Sequence, residues 1–233
     1  MTGNKGTELR YPFEEHCAKV IRELRGCAEI AVSRAQFGEI PYGFDEAGPV
    51  FRDLAEDDDL PFGPRIRARY FRHGSIQAHW RSNRPDSRLV GEFRLAHLLT
   101  TVLGQRMDVI WKGEDDTERF LYPELRYFDD TPRTGAGRMA LMRVTPGTTD
   151  PEIWFFDTRQ GAMPMQLDYA GYLDALMVTK GVMGWQYLYC EPVYCGLGFA
   201  SSAAGLREML DVFPRLFPDH DYTDLRARLE ERL

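Results

Sequence analysis

Several groups of residues have types and spacings that could do chemistry, and each can be checked against what that chemistry requires. Gly135, Gly137 and Ala140 fit the G-x-G-x-x-A pattern of a dinucleotide-binding loop. That loop needs a strand before the glycines and a helix N-terminus after them, so that exposed N–H groups meet the pyrophosphate. Here a loop rich in Pro and Asp precedes the glycines and a strand pattern follows, so the match is rejected. No G-x-x-x-x-G-K-[ST] run cradles phosphates. Ser201 and Ser202 lie in GFASSAAG, which lacks the G-x-S-x-G elbow that exposes a nucleophile.

Metal chemistry fares no better. His16, Cys17, Cys190 and Cys195 have zinc-compatible side chains, but C-x9-C and C-x4-C depart from the short knuckles zinc prefers. The four cysteines read as packed or idle thiols, too few and too irregular for a disulfide framework. His73 and His79 are not at the i, i+4 spacing that binds zinc on a helix. His16, His97 and His220 show no sequence partner that would make them bases. Asp219, His220 and Asp221 carry ligand atoms, but Asp221 reads as a helix cap. Asp115-Asp116 and Asp129-Asp130 are adjacent, and neighbours on a strand point to opposite faces, so neither makes an acid/base pair. No catalytic, cofactor or metal residue is assigned.

One stretch has nucleic-acid character. Arg65 to Arg88 holds seven arginines and two histidines, with Tyr70, Phe71 and Trp80 interleaved, and arginines neutralise phosphates while aromatics stack bases. The chain carries 36 acids against 29 bases, a net charge of −7. That balance argues against nucleic acid and favours reading the stretch as a solvated face that offsets AEDDD at 55–59 and GEDD at 113–116.

The elements that must position these residues follow from periodicity. Phe13, Cys17, Val20, Ile21 and Leu24 recur at helical spacing, and Gly26 ends that helix. Phe37 to Pro64 reads as loop with a short helix over Pro49 to Ala55. RIRARYFRHG fits a helix opened by Pro64 and closed by Gly74, or a strand with Arg65, Arg67 and Arg69 on one face; the Pro start favours the helix. Ser75 to Arg81 and Val90 to Leu95 are strands, and Leu95 to Leu103 is a short helix ending at Gly104. Gln105 to Pro132 gives no clear period. Arg138 to Val144, Glu152 to Asp157 and Met163 to Leu167 form a β-meander. Asp168 caps a helix whose apolar face is Tyr169, Tyr172, Leu173, Leu176 and Met177, stopped by Gly181. Trp185, Leu188 and Tyr189 suggest a further helical turn. A helix from Ser201 or Ser202 to Pro214 and a last one capped by Thr223 complete the chain. The order of elements predicts an α+β fold, a mostly antiparallel twisted sheet with N-terminal and C-terminal helices packed on it.

At 43% hydrophobic and 28% charged residues, the composition supports one folded domain over 1–233, with 1–10 flexible and 201–233 a helical extension. The N-terminus has no apolar run of a secretory signal, and no window approaches a membrane span, so a cytoplasmic protein without membrane association is expected.

Against this background the run from Leu125 to Cys190 resembles the SUKH superfamily, the α+β fold of yeast cell-wall-assembly regulators and many bacterial immunity proteins. The matching pieces are the RYFDD loop, the strands RMALMRV and EIWFFD, the turn RQGA, and the capped helix DYAGYLDALMVTKG leading into GWQYLYC. Upstream, LPFGPRIRARYFRHGSIQAHW is similar to the family's Leu-Pro helix and Trp-bearing strand, and VGEFRLAHL to its next strand. The likeness spans roughly 58 to 190 and departs at Gln105–Pro123 and in the C-terminal helices. It implies a non-catalytic binding protein, commonly one that neutralises a cognate toxin, here a basic toxin encoded by a neighbouring gene. An acidic surface would steer such a partner. The contact residues this reading selects are Asp57, Asp58, Asp59, Glu114, Asp115 and Asp116, with Trp111 as an aromatic anchor. A regulatory scaffold of the same fold, or a nucleic-acid binder working through Arg65–Arg88, are the competing readings.

Overall fold

The computed structural model describes residues 9–104 and 121–233. Among these, seven antiparallel strands follow one another across a single sheet in sequence order: β1 (Ile30–Phe37), β2 (Ser75–Ser82), β3 (Val90–Ala96), β4 (Leu125–Asp130), β5 (Arg138–Arg143), β6 (Ile153–Asp157) and β7 (Gly161–Pro164). The helices are α1 (Pro12–Gly26), α2 (Ala47–Glu56), α3 (Pro64–Arg67), α4 (Leu98–Leu103), α5 (Tyr169–Thr179), α6 (Leu197–Leu216) and α7 (Thr223–Glu231). The fold is α+β with a wholly antiparallel sheet. No helix among the described residues is long and apolar enough to cross a membrane.

Period-2 alternation decides which side of the sheet meets the helices. Ile76, Ala78 and Trp80 of β2, Phe93 and Leu95 of β3, and Phe155 of β6 join the main core with α1, α5 and α6. The opposite face carries a smaller cluster of Tyr122, Leu125, Leu141 and Phe156. Trp80 is fully buried, donates its indole N–H to the Lys180 carbonyl at 2.8 Å, and lies over Gly91 of the neighbouring strand. A Cβ on Gly91 would sit 2.3 Å from the indole, so this pairing requires glycine. Burying such a ring contributes roughly 4–6 kcal/mol before the cost of ordering it.

Asp168 caps α5 by accepting from the Gly171 N–H at 2.7 Å. Lys180 (φ 52°) and Gly181 (φ 71°) end the helix in left-handed conformations. The C-terminal helices belong to the core. Leu206, Met209, Leu210 and Phe213 of α6 and Leu225 and Leu229 of α7 enter the main cluster, and Phe213 packs on Trp80.

Several sequence expectations are corrected. Helix α6 starts at Leu197 and runs through Pro214 to Leu216. Proline cannot donate to the Leu210 carbonyl; Arg226 of α7 does so instead, at 2.6 Å. The helix expected over RIRARYFRHG is only the single turn α3. Beyond it the backbone N–H and guanidinium of Arg72 bind the buried Glu14 carboxylate of α1 at 2.8–3.1 Å, which holds the segment extended. Strand β1 was not visible in the sequence because a bulge between Val32 and Arg34 breaks its alternation. Strand β4 lay within the unassigned stretch, and β7 is Gly161–Pro164 rather than Met163–Leu167. Thr223 is the first residue of α7 rather than its cap; Asp221 accepts from the Thr223 N–H at 2.9 Å. The expectation of a flexible 1–10 falls largely outside the described residues. Arg10 is described, and its N–H donates to Glu14 at 2.8 Å.

Candidate functional site

The acidic residues at 57–59 stand at the C-terminal end of α2, and the structure places them in a larger feature. Val50, Phe51 and Leu54 anchor α2 to the core, which turns Arg52, Asp53 and Glu56 outward. Over about 15 Å, the helix connects the exposed Asp57, Asp58 and Asp59 at one end to the loop 39–46 at the other, where Glu39, Asp45 and Glu46 are also exposed. Tyr42, in the same loop, is fully exposed.

Segment 39–59 contains eight acids and one base, Arg52, and so has a net charge of −7, equal to that of the whole chain. The remaining 28 acids are balanced by 28 bases. All eight carboxylates are solvent-exposed. Glu46 meets Arg10 at 3.7 Å and Asp45 meets Arg72 at 3.9 Å.

The ridge is held by main-chain bonds. Gly147, in the β5–β6 turn, donates to the Asp59 carbonyl at 2.7 Å, and Gly63 donates to the Thr149 carbonyl at 2.9 Å. Asp59 itself is left-handed (φ 54°), a conformation Asp tolerates better than most residues. Tyr70 donates its hydroxyl to the Phe44 carbonyl at 2.7 Å, and Ala47 N–H donates to Tyr11 at 2.9 Å. Trp111, Glu114, Asp115 and Asp116 lie outside the described residues. Sequence reasoning missed Glu39, Tyr42, Asp45, Glu46, Asp53 and Glu56. A running charge sum would have found the acids; the exposure of Tyr42 is a tertiary fact.

The arginine-rich stretch does not present a stripe. Arg65 pairs with Asp168 at 2.6 Å and Arg69 with Asp174 at 2.7 Å; Arg72 is buried against Glu14, and Arg67 lies over the Phe51 ring. The histidines are likewise dispersed. His97 caps α4, stacks on Phe44, and burial depresses its pKa to about 3. His73 contacts the Gly38 carbonyl at 2.8 Å, and His79 meets Ser33. His220 approaches the buried Lys180 at 3.4 Å, beside Glu23, which accepts from Lys180 at 2.5 Å. Burial lowers the pKa of Lys180 despite the raising effect of Glu23. A cleft of about 220 Å³ lined by His16, Lys19, Glu23 and His220 opens above this cluster. Among the described residues, no three His, Cys, Asp or Glu side chains gather as a metal site. Burial pushes the thiols of Cys17 and Cys190 up, away from reactivity.

A second cavity, of about 370 Å³, lies where β3 meets β4. The two strands share a single ladder pair, Leu95 with Asp129, and the Asp129 side chain takes the Arg94 N–H at 2.9 Å. Asp129 also accepts from the Tyr172 hydroxyl at 2.7 Å. Burial raises its pKa to about 7, against the lowering effect of both hydrogen bonds. No family model, curated protein or solved structure matches the chain.

Proposed function

We propose that the chain is a non-catalytic, cytoplasmic binding protein of SUKH type that neutralises a basic protein toxin through the ridge formed by residues 39–59. The observation that carries this reading is the location of the charge. One exposed, backbone-clamped segment carries a net charge of −7 and also bears the fully exposed Tyr42. A ridge of eight acids and one base attracts a basic partner over about a Debye length, ~8 Å at physiological salt, and repels acidic ones. An exposed aromatic beside it supplies the kind of anchor that dominates interface energetics. Main-chain clamping of the loop limits the ordering cost of binding. The resemblance carried by RMALMRV, EIWFFD and DYAGYLDALMVTKG supports the same class.

The test is co-expression of the chain with each neighbouring gene product, followed by binding kinetics for any that associates. The expected result is relief of a basic toxin's lethality. Asp57, Asp58 and Asp59 changed together to Asn should slow association about ten-fold at low salt and leave dissociation nearly unchanged. Tyr42→Ala should instead speed dissociation at least about five-fold. If no neighbouring product is bound or relieved, the immunity reading fails. Capture of constitutive envelope or signalling proteins in its place would reassign the ridge to a scaffold.

A further inference from the structure

We infer that the cavity at the β3–β4 junction is a binding site for a small, uncharged, polyhydroxylated molecule about the size of one sugar ring. It lies on the opposite side of the sheet from the main core and does not depend on the acidic ridge. At about 370 Å³ it falls in the lower part of the range for small-ligand sites. The cavity lies where Asp129 substitutes a side-chain bond for a main-chain rung, which thins the ladder there.

The polar groups of the wall point to the ligand chemistry. Ser75, Thr100, Thr101 and Tyr127 contribute hydroxyls, and none of these hydroxyls hydrogen-bonds to a described residue. Thr101 is buried and its Oγ1 has no partner among the described residues. A polar atom left so is costly unless a ligand or water meets it after a small local shift. Arg94 spends Nε and Nη2 on Asp130, with Nε–Oδ1 at 2.7 Å, and its Nη1 makes no bond to a described residue. Because Asp130 neutralises the guanidinium and Asp129 lies behind it, the wall offers neither net positive charge for an anion nor an unengaged carboxylate for a cation. Hydroxyls, one outward N–H edge and the Tyr127 ring suit a molecule with alternating hydroxyls and C–H faces.

The test is a heteronuclear NMR titration of the full chain with D-glucose and with N-acetyl-D-glucosamine, using inorganic phosphate and acetate as charged controls. The expected result is saturable shifts, at sugar concentrations up to about 100 mM, confined to residues 74–75, 94–96, 100–104 and 127. Thr100→Val and Tyr127→Phe should each weaken binding about five-fold, the loss of one hydrogen bond. Thr100 is exposed, so its valine variant keeps the fold. Changing Asp57, Asp58 and Asp59 to Asn should leave sugar binding unchanged, which separates this site from the ridge. No saturable shift with either sugar, saturation of the same residues by phosphate or acetate, or unchanged affinity in both variants would overturn the inference.

Discussion

Replacing Asp129 with asparagine should make the stability of this protein less sensitive to pH. The carboxyl is only 3% exposed, and burial raises its pKa from 3.8 to about 7. The hydrogen bonds from Tyr172 and the Arg94 N–H offset part of that penalty, while Asp130 adds to it. In the unfolded chain the group loses its proton near pH 4; in the native state it keeps it until about pH 7. Between those values the native state binds the extra proton, so this group's contribution falls as pH rises, and above pH 7 the full penalty persists. About three units at ~1.36 kcal/mol each give about 4 kcal/mol. Asparagine has the same shape and stays neutral. It keeps the bond from Arg94 but leaves the Tyr172 hydroxyl proton without its acceptor, costing about 1 kcal/mol at every pH. Urea denaturation of both proteins from pH 4.5 to 8 measures the difference. The two proteins should be about equally stable at pH 4.5, where ionisation in the unfolded chain already costs the wild type about 1 kcal/mol, and the variant should be the more stable by about 3 kcal/mol at pH 8. Because Glu14 and Asp157, whose pKa values are lowered, titrate identically in both proteins, the difference isolates Asp129. If the two stability curves run parallel over this range, the carboxyl ionises normally and the reasoning is wrong.

Two further outcomes test the packing. Gly91→Ala should destabilise by about 2–3 kcal/mol in chemical denaturation, because its Cβ would meet the Trp80 indole at 2.3 Å and the ring has no room to move. A loss below about 0.5 kcal/mol would show that the strands can separate there. Lys180→Met should cost about 2–3 kcal/mol by removing the cation that donates to Glu23 at 2.5 Å and lies 4.3 Å from the centre of the Phe217 ring. The cost stays near the lower end for a buried pair because Lys19, 3.6 Å away, still meets Glu23. A Lys180→Met variant as stable as wild type would show that the pair contributes nothing.

Periodic segments were legible in the sequence, and segments whose conformation depends on distant partners were not. The core face of α5 and the Asp168 cap are local facts, since side chains three and four residues apart share a helix face whatever surrounds them. The β5–β6 meander was equally visible through its alternation and its TPGTTDP turn. The candidate acids at 57–59 were found as a run, but that the fold leaves them, Tyr42 and Glu39 all exposed is a tertiary fact. Tyr172 shows the limit within a single residue. Its helical spacing placed it in the core, yet nothing local indicates that its hydroxyl meets Asp129, 43 residues away.

The sequence by itself determined the α+β order of elements, the inward faces of α1 and α5, and the concentration of acids in residues 39–59. Those properties depend on neighbours within a few positions along the chain, or on composition alone. Only the tertiary structure decided that Arg72 would be drawn out of a helix by Glu14, that Arg226 would take the carbonyl left by Pro214, and that β3 and β4 would part around Asp129. The reason is physical: a buried charge or orphaned carbonyl must find a partner wherever the chain brings one, and that overrides local preference.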